Sequence, residues 1–431
     1  MAMGSPPAEI IKRQANKAFE ASDFQVATSL YSHAMRLDAA NPLYVLNRAM
    51  SNLKLTKCDI SRPANDISIY LGTTPKRSKR LFRRARARKA LGDETGARKD
   101  LETYVARGGQ QKVADAEALS DPLATTKSNA TTTLVPAADT SAGYEVKDTA
   151  LMGKGAFATR VFHRGDLILT EKPLFALPES NDLREIIPAV SAAVERLSPT
   201  DLLQLLSLHA SYGGNLFVDI YRTNTMPCGL CLVASRFNHS CLPNARYSFH
   251  APSKCLRIFA LTDVARGEEL CVSYLSSRNV YGSTRAQRQR RFLASFNFSC
   301  GCPACSLTGA DLEASDARRR EAAVLWDGLT KHDPRLHGGR VVRDAVRGIR
   351  LLREEGYMAD ADDFALDAAA LCALHSDWES AKYWAKFNYD TKCAEFGKDH
   401  EHAREAKVYC DDPRRYAQSG MYSGQKFPAR V

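Results

Sequence analysis

Nowhere in the 431-residue chain does an apolar run approach the length of about 18 to 20 residues that a membrane helix needs. The opening stretch, MAMGSPPAEIIKRQ, lacks an apolar core and a cleavage site, so no secretory signal is expected and the chain is read as cytoplasmic or nuclear. With no export signal, the 12 cysteines are not expected to form a disulfide framework, because such compartments keep thiols reduced; where they cluster, they point to metal. Acidic charge is also short, 49 Asp and Glu against 60 Lys and Arg, for a formal net charge of +11. Much of the excess lies in KRSKRLFRRARARK, residues 76–89, which a solvated helix face explains most simply, although such a surface can also meet nucleic acid or an acidic peptide. What is present, 44% hydrophobic and 25% charged residues, is globular composition with material for two or three domains.

The texture changes along the chain. Residues 8–106 are rich in helix formers and repeat at the period of a helix-turn-helix unit, with Ala15, Ala49 and Ala85 at equivalent positions. The first unit, NKAFEASDFQVATSLYSHAMRLDAANP, resembles a tetratricopeptide repeat, with Asp23-Phe24 at its turn and Ala27, Tyr31 and Ala34 on the packing face; two further copies are expected around LNRAMSNLKL and LFRRARARKALGD. Residues 107–143, Gly-, Ser-, Thr- and Pro-containing without apolar periodicity, read as a linker. From Tyr144 to 291 short β-type runs dominate, interrupted by a helical insert at about 179–212. A short cysteine segment at 292–310 follows, then a helical region over 311–410 whose Asp377-Trp378, Ala381 and Ala385 echo the first repeat, and a polar tail at 411–431 expected to fray. The expected fold class is thus multidomain α+β, with helical modules on either side of a β-rich centre.

Cys300, Cys302 and Cys305 form CGCPAC, a CxCxxC run in which local turns let three thiolates converge on one point; one more ligand would close a tetrahedral zinc site. Cys241 in RFNHSCLPN is the candidate fourth. Cys228 and Cys231 form a CxxC pair in a segment expected to pack as ordinary apolar structure.

Four motifs in order, MGKGAFATRVFHRGDLILTEKPL at 152–174, RFNHSCLPNA from Arg236, GEELCVSYL at 267–275 and FNFSCGCPAC at 296–305, resemble the SET domain of protein lysine methyltransferases. The likeness covers about 144–307 and is closest to the SET and MYND branch and its fungal-type relatives. It implies S-adenosylmethionine as methyl donor, Asn238 and His239 at its adenine and methionine ends, and Lys154, Gly155 and Phe157 at the methionine end. It further implies Asn224 on the polar atoms, Phe298 stacked on adenine, and Cys241 joining Cys300, Cys302 and Cys305 on zinc. Tyr274 matches the active-site tyrosine and is assigned to orientation, because an ordinary phenol, with a pKa of about 10, is a weak base at neutral pH. Two departures stand out: residues 176–222 contain no cysteine, so the MYND finger is missing, and Phe296 stands where many relatives carry a second tyrosine.

One tetratricopeptide subclass binds the C-terminal carboxylates of chaperones ending in Glu-Glu-Val-Asp, through residues that Lys12 and Asn16, Asn47, and Lys79 with Arg83 match here. A spacing of four places each helical pair on one face, and cationic donors with amides suit carboxylates. Nucleic acid ranks below such a peptide, for want of a series of stacking aromatics. The expectation is a zinc-containing protein-lysine methyltransferase acting on a histone or non-histone lysine, with a partner-binding helical module; a catalytically weak SET-fold scaffold is the alternative.

Overall fold

The structure is a computed structural model. It describes residues 7–38, 41–55, 99, 102, 143–149, 153–180, 182–212, 215–329, 331, 333–422, 424–428 and 430–431. The expected third helical copy, with Lys79 and Arg83, and all of the linker but Gly143 lie outside these residues. By packing, the chain divides into two units, Met1–Leu134 with Leu177–Thr223, and Val135–Ala176 with Asn224–Val431.

In the first unit, α1 (Pro7–Glu20), α2 (Phe24–Leu37) and α3 (Pro42–Leu55) pack each against the next. Ala15, Ala27 and Ala34 are fully buried, and their small side chains let the helices close on one another. The turn between α1 and α2 places Ser22 at a positive φ of 64° and Asp23 at the N-cap, where its carboxylate accepts the Val26 N–H. The insert supplies α4 (Leu183–Glu195), α5 (Pro199–Leu206) and α6 (Leu216–Asn224), capped at the start of α4 by Asp182 and of α5 by Ser198. Helix α4 lies on α2 and α5 on α1, and Asp23 also accepts the Leu216 N–H at 3.3 Å. The insert therefore runs further than 179–212 and packs with the N-terminal helices, because its apolar stripes and theirs cover each other.

The second unit holds the sheets. Strands β1 (Tyr144–Asp148) and β2 (Lys154–Ala158) pair antiparallel; β3 (Leu167–Glu171), β7 (Cys255–Ala260) and β6 (Ala245–His250) form a sheet in the order β3-β7-β6; β4 (Thr225–Met226) and β5 (Gly229–Leu230) make a small hairpin. Ala156, Leu169, Phe237, Leu256, Ile258 and Val272 form the core beneath them. The chain then enters α7 (Ser277–Tyr281) and α8 (Arg285–Phe296), the latter started by a capping box between Thr284 and Gln287. It ends at Asn297, left-handed at φ 57°, which turns the chain toward the cysteine segment. The boundary expected at 291/292 thus falls inside one helix.

The C-terminal helices α10 (Gly309–Leu329), α11 (Pro334–Glu354), α12 (Asp362–Leu374), α13 (Trp378–Phe396) and α14 (Glu401–Asp411) follow α9 (Pro303–Ser306). Arg246 on β6 reaches Asp360 at 2.5 Å and the fully buried Glu395 at 2.6 Å, pinning the sheet to these helices. The tail differs from its expected fraying. Gly420 and Tyr422 donate backbone N–H groups to Ala373 O and Leu374 O, the Phe427 N–H reaches Asp377 at 2.7 Å, and the Tyr416 and Phe427 side chains are buried. Polar composition hid two apolar anchors, Tyr416 and Phe427.

Candidate active site and metal centre

The Asn238–Cys241 segment lies beside the segment carrying Val272: the Val272 N–H donates to Asn238 O at 2.9 Å and the Ser240 N–H to Val272 O at 3.0 Å, a parallel bridge. This pairing brings two expected motifs together. Asn238 donates its amide hydrogens to Lys154 O at 3.2 Å and Glu269 Oε1 at 2.8 Å, so its oxygen is the atom left to accept from a ligand ammonium. Asn244 clamps the same stretch, accepting the Cys271 N–H and donating to Glu269 O, both at 2.8 Å. Gly155 sits against this network: a Cβ there would lie 2.4 Å from Glu269 Oε1 and 3.0 Å from Asn238 Nδ2, which only glycine avoids. Lys154 pairs with Asp148 at 2.9 Å, and Phe157 lies under the Lys147 ammonium at 4.2 Å. Asn224 is buried, and its carbonyl accepts from Ser235 Oγ.

His239, which the resemblance places at the cofactor, has both ring nitrogens bonded within the chain. The Tyr274 backbone N–H donates to Nδ1 at 3.0 Å, which leaves the ring proton on Nε2, 3.4 Å from Cys241 Sγ. Burial holds its pKa down at about 4, so the imidazole is neutral. With both nitrogens engaged inside the chain, His239 ties Tyr274 to the cysteine cluster, and only its ring face or backbone is left to a ligand.

Around Tyr274 the walls are aromatic. Its ring lies 5.6 Å from Phe296 and 6.3 Å from Phe298, and His239 packs on Phe292 with centroids 4.4 Å apart. The Tyr274 hydroxyl donates to Phe237 O at 3.0 Å, and burial pushes its pKa above the ordinary phenol value, so it stays protonated. Phe298, expected on adenine, packs against Phe292 at 5.2 Å.

The four cysteines predicted as ligands do converge. The sulfurs of Cys241, Cys300, Cys302 and Cys305 all lie within 4.8 Å of one another, with Cys241 and Cys305 at 3.6 Å. A tetrahedral zinc with Zn–S bonds of about 2.3 Å has sulfur–sulfur edges of about 3.8 Å, so the set fits that ion closely. Arg288, fully buried, approaches Cys305 Sγ at 3.7 Å, and Gln289 fixes the Cys300 backbone through both its N–H and C=O. Hydrogen bonds from Cys241 and its neighbours draw the Cys302 thiol strongly down, whereas the same contacts push Cys241 up. Four thiols this close cannot all ionise without a cation among them. The residues that sequence reasoning missed, Glu269, Phe292, Arg288 and Gln289, carry no signature of their own and matter through what they touch.

In the first unit, Lys12 is half-buried and paired with Glu9 at 2.6 Å, Asn16 accepts from the Tyr31 hydroxyl at 2.7 Å, and Asn47 is buried.

A site of paired motif strands, an aromatic-walled tyrosine and an adjoining cysteine cluster defines a class, and sequence comparison agrees: residues 153–275 match the SET domain family. The chain carries a SET domain, and the relatives that it resembles there are protein-lysine methyltransferases. It is 27% identical over 284 residues to histone-lysine N-methyltransferase set5 of Schizosaccharomyces pombe, which covers 64% of this chain and 85% of the relative. It is 32% identical over 169 residues to protein-lysine N-trimethyltransferase SMYD5 of Gallus gallus, covering 38% of this chain and 40% of that one. A different catalytic class also shares a segment: serine/threonine-protein phosphatase 5 of Homo sapiens is 36% identical over 98 residues, 23% of this chain and 19% of the phosphatase. No helix among the described residues is long and apolar enough to cross a membrane.

Proposed function

We propose that the protein transfers methyl groups from S-adenosylmethionine to a lysine side chain of a protein, histone or non-histone, at the aromatic-walled site around Tyr274. The observation that carries this reading is the junction at His239, which holds the tyrosine backbone beside the Asn238–Glu269–Gly155 cradle. Asn238, Asn224, Lys154, Gly155, Phe157 and the faces of His239 and Phe298 are the residues that would hold the cofactor. Bound there, it supplies an electrophilic methyl group on a sulfonium.

The chain's own task is to align the amine and to favour its neutral form. Displacement at a methyl group needs the amine in line and uncharged, and apolar walls such as Phe296, Phe298 and Phe292 disfavour the ammonium form of an entering lysine. Tyr274, kept as a phenol by burial, orients that amine rather than taking its proton. Phe296 adds wall area without a second hydroxyl, which leaves more room and one polar contact fewer at the methyl-accepting end. The four-cysteine cluster holds one structural zinc in this reading, and it secures the Cys241 end of the cofactor segment. Incubating the purified full chain with labelled cofactor and a fractionated proteome tests the activity. Label appearing on lysine supports the reading, and no cofactor binding by zinc-loaded protein returns the chain to a scaffold role.

The N-terminal helices serve, we infer, as a partner-binding module for acidic C-terminal peptides, through Lys12, Asn16, Asn47, Lys79 and Arg83. A likeness to a phosphatase as well as to methyltransferases is what a chain of separable modules would produce. A peptide ending in Glu-Glu-Val-Asp should bind, and amidating its terminus should weaken it sharply; a duplex competing equally would favour nucleic acid. The expected compartment is cytoplasm, nucleus or both.

A further inference from the structure

The CxxC pair is not spent on either function. Pro227 and Cys228 form the tip of the β4–β5 hairpin, whose Thr225 faces Leu230 and Met226 faces Gly229. Gly229 adopts φ 123° with its Cα side against Phe175 O, where a Cβ would lie at 2.5 Å, so the turn has one backbone path. That path brings Cys228 Sγ to 3.9 Å from Cys231 Sγ. Cys231 is fully buried in the sheet core, as expected of apolar packing, but Cys228 is half-exposed. A disulfide has sulfurs about 2.0 Å apart, and the 3.9 Å between these two is a short distance to close.

The two thiols are also chemically unequal. The hydrogen bond with Cys231 draws the Cys228 thiol below its ordinary pKa, and the same contact, with burial, pushes Cys231 up. Cys271, comparably half-buried, is pushed up to about 12 by burial. Outside the four-cysteine cluster, Cys228 is the one described cysteine whose thiol is drawn down. A reachable sulfur with thiolate character beside a buried partner is the arrangement in which one thiol attacks and the other resolves.

We propose that Cys228 and Cys231 are an oxidisable dithiol that a peroxide converts to an intramolecular disulfide, with Cys228 as the attacking sulfur. The Cys228 thiolate attacks one oxygen of hydrogen peroxide; the O–O bond breaks, sulfur keeps that oxygen as a sulfenic acid, and the other leaves as hydroxide. Cys231 then attacks the Cys228 sulfur, the S–O bond breaks, and hydroxide leaves with the Cys231 proton as water. Two thiols are oxidised and one peroxide is reduced to two waters. Closure would stiffen the hairpin that begins directly after Asn224. Ser235 lies beneath it, donating to both Asn224 O and Cys231 O.

The test treats metal-loaded full chain with sub-stoichiometric hydrogen peroxide, then alkylates free thiols and maps peptides. A Cys228–Cys231 linkage, with loss of two hydrogens from the intact mass and reversal by dithiothreitol, is expected. Cys231→Ser should accumulate a sulfenic acid at Cys228 that dimedone traps, and Cys228→Ser should trap none at Cys231. In untreated protein, iodoacetamide should label Cys228 about tenfold faster than Cys271. The proposal is overturned if the pair stays fully alkylatable while other cysteines oxidise, if the linkage joins other residues, or if Cys231→Ser traps no sulfenic acid.

Discussion

Two groups of cysteines lie in the same unit, and they differ in number, burial and surroundings. Cys241, Cys300, Cys302 and Cys305 converge from two distant segments, with sulfurs within 4.8 Å, a neutral imidazole on one side and the Arg288 guanidinium on the other. Cys228 and Cys231 come from one tight hairpin, have sulfurs 3.9 Å apart, and differ in that Cys228 is half-exposed while Cys231 is buried. Four convergent thiols make a closed donor set that a cation would neutralise; two leave no closed set, and their unequal exposure suits them to act as attacker and resolver. The comparison shows that spacing alone does not assign a cysteine: CxxC occurs in both, as Cys302–Cys305 and as Cys228–Cys231.

The largest expected effect separates the two groups by metal. Cys302→Ser, or chelation of the wild type, should release the ion, because a structural zinc is worth on the order of 10 kcal/mol to a small site. Metal analysis before and after, with thermal unfolding, checks this; Cys228→Ser should retain its metal in full. An equal loss from both variants would erase the distinction.

A smaller effect belongs to the junction. His239→Gln removes the Nε2 donor beside Cys241 and the acceptor for the Tyr274 N–H, and should lower metal affinity about 10- to 100-fold. Competition with a chromophoric chelator measures it. Unchanged affinity would mean that the imidazole contributes packing alone. Least affected is the hairpin. Cys231→Ser puts a hydroxyl into the apolar core and should cost about 1 to 3 kcal/mol in chemical denaturation, whereas Cys228→Ser should stay within about 0.5 kcal/mol.

Much of this centre was legible in the sequence. CGCPAC gives three of the converging cysteines by local spacing, and the motif order brings Cys241, Asn238 and Tyr274 beside them. What was not legible arises from pairing across long separations. Glu269 matters because it meets Asn238 and Gly155, and Phe292 because α8 carries it under His239. The internal bonds of the His239 ring were not legible either, since a motif names a residue without saying which way its ring turns. Where local chemistry dominates, short patterns suffice: the Asp23 and Asp377 turns share φ/ψ near −86° and 72°, each after a serine at positive φ. The tail was misread because Tyr416 and Phe427 are isolated apolar residues in polar surroundings, and burial of isolated anchors has no periodicity to reveal it.

The central claim is that Tyr274 acts on methyl transfer and not on holding the cofactor. Tyr274→Phe in metal-loaded full chain should be compared with wild type by calorimetry with S-adenosylmethionine and by transfer of labelled methyl to a lysine substrate. The account predicts cofactor affinity unchanged within about twofold and transfer reduced about 100-fold or more, the pattern of a group acting in the transition state. Wild-type transfer rates in the variant, or no cofactor binding to either protein, would contradict it.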